Sequence, residues 1–158
     1  MPARIAVTVG GVTGAAPSVA FDVIVPIDLS TIFLASAVMP GVGGVRDQTG
    51  PWDHAGATRV VQLTDGSEAP EKLTAVDRPH GFSYRVGPFT GLLRLLVSHA
   101  DGAWEFRPGA DGMTAIQWTY AFAPLPGRAG LVRLMLAPLW RRYAERALGL
   151  AVRAADAG

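Results

Sequence analysis

Thr114-Ala115-Ile116-Gln117-Trp118-Thr119-Tyr120-Ala121-Phe122-Ala123-Pro124-Leu125-Pro126-Gly127 is where the hydrophobic period changes. Before the prolines, Ile116, Trp118, Tyr120 and Phe122 alternate with small or polar residues, the mark of a half-buried strand. After Gly127, apolar residues recur every three or four positions. Val132, Leu136, Leu139, Trp140, Tyr143, Ala147, Leu150 and Ala151 form one stripe of a long helix. Arg142, Arg146 and Arg153 lie roughly opposite and read as a solvated face, with Arg141 beside them. Pro138 has no amide hydrogen to donate, so a bend is expected near it. Leu131, Leu134 and Met135 fall outside the stripe, so the helix start needs cover from protein, a partner or a bound apolar molecule.

Upstream, turn signals arrive about every ten residues: Gly50-Pro51, His54-Ala55-Gly56, Asp65-Gly66, Arg78-Pro79 and Asp111-Gly112. Between them lie candidate strands at residues 58–64, 71–77, 81–86, 97–107 and 114–122. Phe82/Tyr84/Val86 and Trp104/Phe106 keep the two-residue period. Tight turns between short strands indicate an antiparallel sheet. Val19, Phe21, Val23 and Val25 alternate as well and read as another half-buried strand ending at Pro26. Asp28 or Ser30 would cap a short helix holding Ile32, Phe33 and Leu34. Gly41-Val42-Gly43-Gly44 reads as a turn, because a dinucleotide loop needs a strand and helix around it.

One helix, about 10 Å wide, cannot cover a sheet whose strands are spaced about 4.8 Å apart. The sheet must curl around it, and Gly81, Gly87, Gly91 and Gly102 would permit that curvature. A curled sheet gripping a helix leaves a space between them, filled by side chains or by a ligand.

Composition narrows the functions. The chain has 158 residues, 49% of them hydrophobic and 17% charged, which suits one packed domain. Fourteen basic residues, of which only Lys72 is a lysine, face thirteen acidic ones, so no field for nucleic acid follows. The absence of cysteine excludes disulfides, thiolate metal sites and cysteine nucleophiles, and fits a cytoplasmic chain. No apolar run reaches the roughly 20 residues that span a bilayer, so stable membrane insertion is not expected. Residues 1–17 read as a flexible lead-in or an extra edge strand, 18–153 as the domain, and 154–158 as a disordered tail.

In order and spacing, several short signatures resemble one superfamily. They are Gly56-Ala57-Thr58-Arg59, Glu71-Lys72-Leu73-Thr74, Phe82-Ser83-Tyr84, Trp104-Glu105-Phe106 and Thr114-Ala115-Ile116-Gln117-Trp118, preceded by Met39-Pro40-Gly41-Val42. From Val19 to about Val152 the chain resembles the START-like, or SRPBCC, ligand-binding proteins. The nearer branch is the polyketide cyclase/dehydrase and lipid-transport family. The resemblance implies an α+β helix-grip fold: six or seven curved antiparallel strands around a long C-terminal helix, with short helices after the first strand. It also implies an internal cavity, but no single activity, because carriers, sensors and cyclases share this fold.

The aromatic set then becomes the main candidate site. Phe82, Tyr84, Trp104, Phe106, Trp118, Tyr120, Leu136, Trp140 and Tyr143 are the expected ligand-binding residues, although each alone reads equally as core. Tyr84, Trp118 and Tyr143 are expected to supply the pocket's polar contacts. Arg59 and Glu71 lie on neighbouring strands. An ion pair on the outer face is the first expectation, and a buried pair in the cavity the second. Arg59, His99 and Tyr143 are the candidates for moving protons, His99 because it lies in a strand near a cavity wall. His54 and His80 sit beside turns, and no spacing suggests a metal or cofactor site. Three functions stay open. The first is binding or transport of a small hydrophobic ligand. The second is cyclisation or dehydration of a polyketide-like substrate. The third is pairing through the last helix, as in a homodimer.

Overall fold

Alternation builds the sheet. The computed structural model describes residues 3–158. Its strands are β1 (Ile5–Thr13), β2 (Val42–Arg46), β3 (Thr58–Leu63), β4 (Glu68–Asp77), β5 (Gly81–Val86), β6 (Val97–Pro108) and β7 (Thr114–Pro124). All neighbours are antiparallel, in the order β1-β7-β6-β5-β4-β3-β2. Trp104, Phe106, Ile116, Trp118, Tyr120 and Phe122 are buried on the inner face. The C-terminal helix lies against this face. It runs as α2 (Ala129–Leu131), a π-helical turn (Val132–Leu136) and α3 (Ala137–Ala157). Val132, Leu136, Trp140, Ala144, Ala147, Leu148, Ala151 and Ala155 are its buried stripe. The curled sheet around a long helix that period and strand spacing called for is present, and with it the helix-grip architecture that the resemblance implied.

The π turn sits directly before Pro138. The Ala137 amide donates to Val132 O, five residues back, which widens the helix next to a residue that cannot continue the normal ladder. The buried stripe is narrow and rich in alanine, so α3 approaches the sheet closely along its second half. Leu131, Leu134 and Met135 stay exposed, Leu134 by 77%, and none of the described residues covers them.

Several local expectations need correction. Residues 19–25 are not a strand; they belong to helix α1 (Pro17–Ile24). A short apolar-rich run satisfies both periods, and tertiary packing chose the helical one. Ala20, Phe21 and Ile24 are buried, whereas Val19 is exposed. Phe21 meets Phe82 and Phe106 edge-on at centroid distances of 6.3 and 5.7 Å. Asp28 does cap, accepting from the Ser30 amide at 3.0 Å, but the helical turn it starts covers only Leu29–Thr31. Ile32 and Phe33 follow it as loop residues directed into the interior.

Gly43 and Gly44 are not a turn. They lie in edge strand β2, with a register shift between Val42 and Gly44, as glycines in strands often do. Of the two readings of residues 1–17, the structure has the edge strand, at residues 5–13. β1 pairs with β7 along its whole length, from Ile5↔Phe122 to Thr13↔Thr114, and so forms the other edge of the sheet. Its Ile5, Val7 and Val9 side chains are buried, which is why residues 5–13 are not a loose lead-in. The end of the chain is likewise not a loose tail. The helix continues to Ala157, Ala155 is buried, and Asp156 accepts bonds from Thr13 Oγ1 and, at 2.9 Å, from the Gly14 amide.

Candidate ligand-binding cavity

The sheet and helix enclose a cavity of about 380 Å³, within the range of small-molecule sites. Its floor is the inner face of β3 to β7. Its roof is α3 and the segment from Ile24 to Val42. Most of the wall is apolar: Phe33, Val61, Ala69, Phe82, Trp104, Leu136 and Trp140 among others. Lining residues that are also exposed mark the mouth. These are Val38, Leu92 and Met135, exposed by 65%, 81% and 59%, together with the charged Asp65.

The polar pole of this cavity is Arg59 with Glu71. Strand register places them directly opposite each other on β3 and β4. Ala69 and Leu73 flank Glu71 at two-residue steps and are both buried, which sets the inward face. The outer-face reading of this pair is therefore overturned: both side chains are buried and line the cavity. Arg59 Nε and Nη2 both donate to Glu71 Oε1, at 3.1 and 2.7 Å. The guanidinium carbon also stands 3.9 Å from the centroid of Trp52, a cation–π contact that helps hold it. Burial pushes the Glu71 carboxyl above the usual glutamate range, against the opposing pull of Arg59.

Tyr84 adds a second polar group. Its hydroxyl oxygen accepts from Trp118 Nε1 at 3.0 Å, and burial raises its pKa. The ring can lie where it does because its strand partner is Gly102. A Cβ there would stand 2.2 Å from Tyr84 Cζ. Tyr120 also lines the cavity, and burial raises its hydroxyl pKa too. Trp140 stacks near Tyr120 with centroids 4.2 Å apart, and its Nε1 is buried without a partner among the described residues.

Of the expected ligand-binding residues, Phe82, Tyr84, Trp104, Tyr120, Leu136 and Trp140 meet at the cavity wall. Phe106 and Trp118 do not. They are almost completely buried in the layer around it, with Trp118 stacked on Trp104 at 4.6 Å. The Trp118 indole amide is therefore engaged with Tyr84 and not offered to a ligand. Tyr143 is half-buried outside the wall; its hydroxyl donates to Pro40 O at 2.6 Å, and burial pushes its pKa up to about 12. That bond ties α3 to the roof segment. His99 is not at the wall either. The inward residues of β6 are Val97, Ala100, Gly102, Trp104 and Phe106, and a register shift at Val97/His99 turns the imidazole away. It sits by Ser98 on the outer face, where burial and then the nearby Arg85 and Arg4 charges lower its pKa. His54 and His80 are exposed. Trp52, Phe33 and the Leu92–Leu96 segment escaped sequence reasoning, since they lie in turn-rich or irregular stretches with no period. A tryptophan amid Gly50, Pro51 and Asp53 was the one available signal, because so large an apolar ring is seldom left in solvent.

Residues 7–155 match the family described as polyketide cyclase / dehydrase and lipid transport. The chain belongs to that family. The match begins at residue 7 and so includes most of β1, which the sequence resemblance, starting at Val19, had left outside. No curated protein matches the chain. Among solved structures, Ara h 8.0201 is similar with a TM-score of 0.69 at 14% identity, covering 98% of this chain and 97% of that one. The XoxI protein from Bacillus cereus is similar with a TM-score of 0.69 at 12% identity, covering 94% of each chain. At such identities these likenesses establish the helix-grip fold. Family and fold together fit the binding of a hydrophobic, lipid- or polyketide-type ligand. Among the described residues no helix is long and apolar enough to cross a membrane.

Proposed function

We propose that this family member binds, and carries between sites, a small hydrophobic molecule held between the inner sheet face and α3. The observation that carries the reading is the cavity of about 380 Å³ with a mainly apolar wall, opening past Val38, Leu92 and Met135. Empty apolar space of that size forfeits dispersion contacts, and filling it with a ligand recovers them. The exposed Val38, Leu92 and Met135 side chains give the mouth an apolar side in addition to its charged residue, Asp65, and an apolar guest can enter along it. Native mass spectrometry of the purified protein, followed by organic extraction, tests this. The expected result is a mass increment that organic solvent removes and that appears as an apolar compound in the extract. Bare protein that also fails to take up any added apolar compound would contradict it.

A second reading, cyclisation or dehydration of a polyketide-like substrate, draws on one feature. Glu71 is a buried carboxyl with a raised pKa facing the cavity beside Arg59 and Tyr84, which is what a general acid needs. The same experiment separates the two. A carrier returns the extracted compound unchanged after reincubation, and an enzyme returns it with a changed mass.

A further inference from the structure

The Arg59–Glu71 pair is only half satisfied by the protein. Both guanidinium bonds converge on a single carboxylate oxygen, Oε1. Glu71 Oε2 and Arg59 Nη1 have no protein partner among the described residues, yet neither is sealed off from the adjoining space. Both side chains line the cavity, so an acceptor and a donor of the same pair are left for whatever occupies it, on a wall that is mainly apolar. A buried ion pair is tolerable only when its remaining hydrogen-bonding capacity is met. Water can meet it in the empty cavity. A ligand that displaces the water must reproduce its bonds or lose affinity.

We propose that the ligand of this cavity is an apolar molecule with an uncharged oxygenated head, carrying a hydroxyl and a carbonyl oxygen a few atoms apart. The carbonyl accepts from Arg59 Nη1, and the hydroxyl donates to Glu71 Oε2. This rests on the cavity reading and adds the head-group chemistry to it. A neutral head is favoured because Arg59 is already matched by Glu71, so an anionic head would bring the pole to net negative charge. A purely hydrocarbon ligand would fit the walls but strand the pole. The cation–π contact with Trp52 and the two bonds to Oε1 fix the guanidinium, so the donor direction is set before the ligand arrives.

Three probes of one chain length test this: methyl 3-hydroxydecanoate, methyl 3-methoxydecanoate and methyl decanoate. Trp104 and Trp140 stand on the wall, so tryptophan fluorescence reports binding. The hydroxy ester should bind the native protein about tenfold or more tightly than the other two, as sites built to bond a hydroxyl reject analogues lacking it. This would run against its greater solubility in water. In the Arg59→Leu/Glu71→Leu double variant the three dissociation constants should agree within about twofold; removing both charges together avoids stranding either one. Equal affinities in the native protein would overturn the head-group assignment while leaving the cavity reading in place. So would a preference that survives the double variant. Binding of none of the three would overturn the cavity reading and the head-group assignment with it. The native-protein comparison stands without the variant, should that variant not fold.

Discussion

Replacing Arg59 with leucine is expected to lower stability at neutral pH by about 3–5 kcal/mol, because it leaves a buried carboxylate without its counter-charge. For a chain of this size that corresponds to a fall in Tm on the order of 10 °C. Glu71 is 8% exposed and has no other basic partner among the described residues. The loss should depend on pH in a stated direction. The folded-state pKa of Glu71 lies above its ordinary value even with Arg59 present. Stability tied to such a raised pKa is fully present below the unfolded value, about 4.3, and is lost as pH rises through the folded value. Without Arg59 the folded value rises further, so the gap between native and variant protein should be smallest near pH 4 and largest near pH 7.5. Thermal melts at the two pH values check this. The Arg59→Leu/Glu71→Leu protein should recover most of the loss at pH 7.5. An equal deficit at both pH values would show that packing around Arg59, and not the stranded carboxylate, sets the cost.

Trp118→Ala is expected to cost about 3–5 kcal/mol, at the upper end for core truncations. Trp118 is 1% exposed and touches aromatic rings on several sides. Trp104 stacks on it at 4.6 Å, while Phe33 and Trp140 meet it edge-on at 5.9 and 6.0 Å. Its loss would also leave the buried Tyr84 hydroxyl without the donor it accepts from, a further cost of about 1–3 kcal/mol if nothing replaces it. Trp118→Phe keeps most of the ring packing but not the bond, so it should lose clearly less. Urea denaturation midpoints rank the three proteins. If alanine and phenylalanine cost the same, the ring packing contributes little and the Tyr84 bond carries the effect.

The sheet from β3 to β7 was legible because its strands alternate and its turns carry glycine, proline or aspartate. The C-terminal helix was legible because its stripe repeats over five turns. What failed was short or singular. Residues 19–25 hold too few positions to separate a period of 2 from one of 3.6, and only the packing of Phe21 against Phe82 and Phe106 decides. β2 is hidden by Gly43 and Gly44, whose lack of side chains erases any alternation. β1 contains Gly10 and Gly11 and pairs with the most distant strand in sequence, so nothing local announces its partner.

The site followed the same division. Aromatic rings on β5, β6 and β7 could be assigned to the inner face, yet the sequence could not separate the wall from the layer around it, as Trp104 and Trp118 show. For Arg59 the parity was open. Val60 and Val61 are both apolar, so either could face inward, and a charge is ordinarily placed outside. Only the pairing of β3 with β4, and the buried Ala69 and Leu73 on either side of Glu71, turn the pair into the cavity. His99 misled for a related reason: the register shift after Val97 reverses the alternation there.

Everything proposed for this protein requires an open, mainly apolar chamber between sheet and helix. Soaking crystals with 2-bromonaphthalene and recording the bromine anomalous signal tests it most directly. The account predicts a bromine peak inside the space bounded by Phe82, Tyr120 and Trp140. An interior packed solid by these same side chains, with bromine found only on the outer surface, would contradict it.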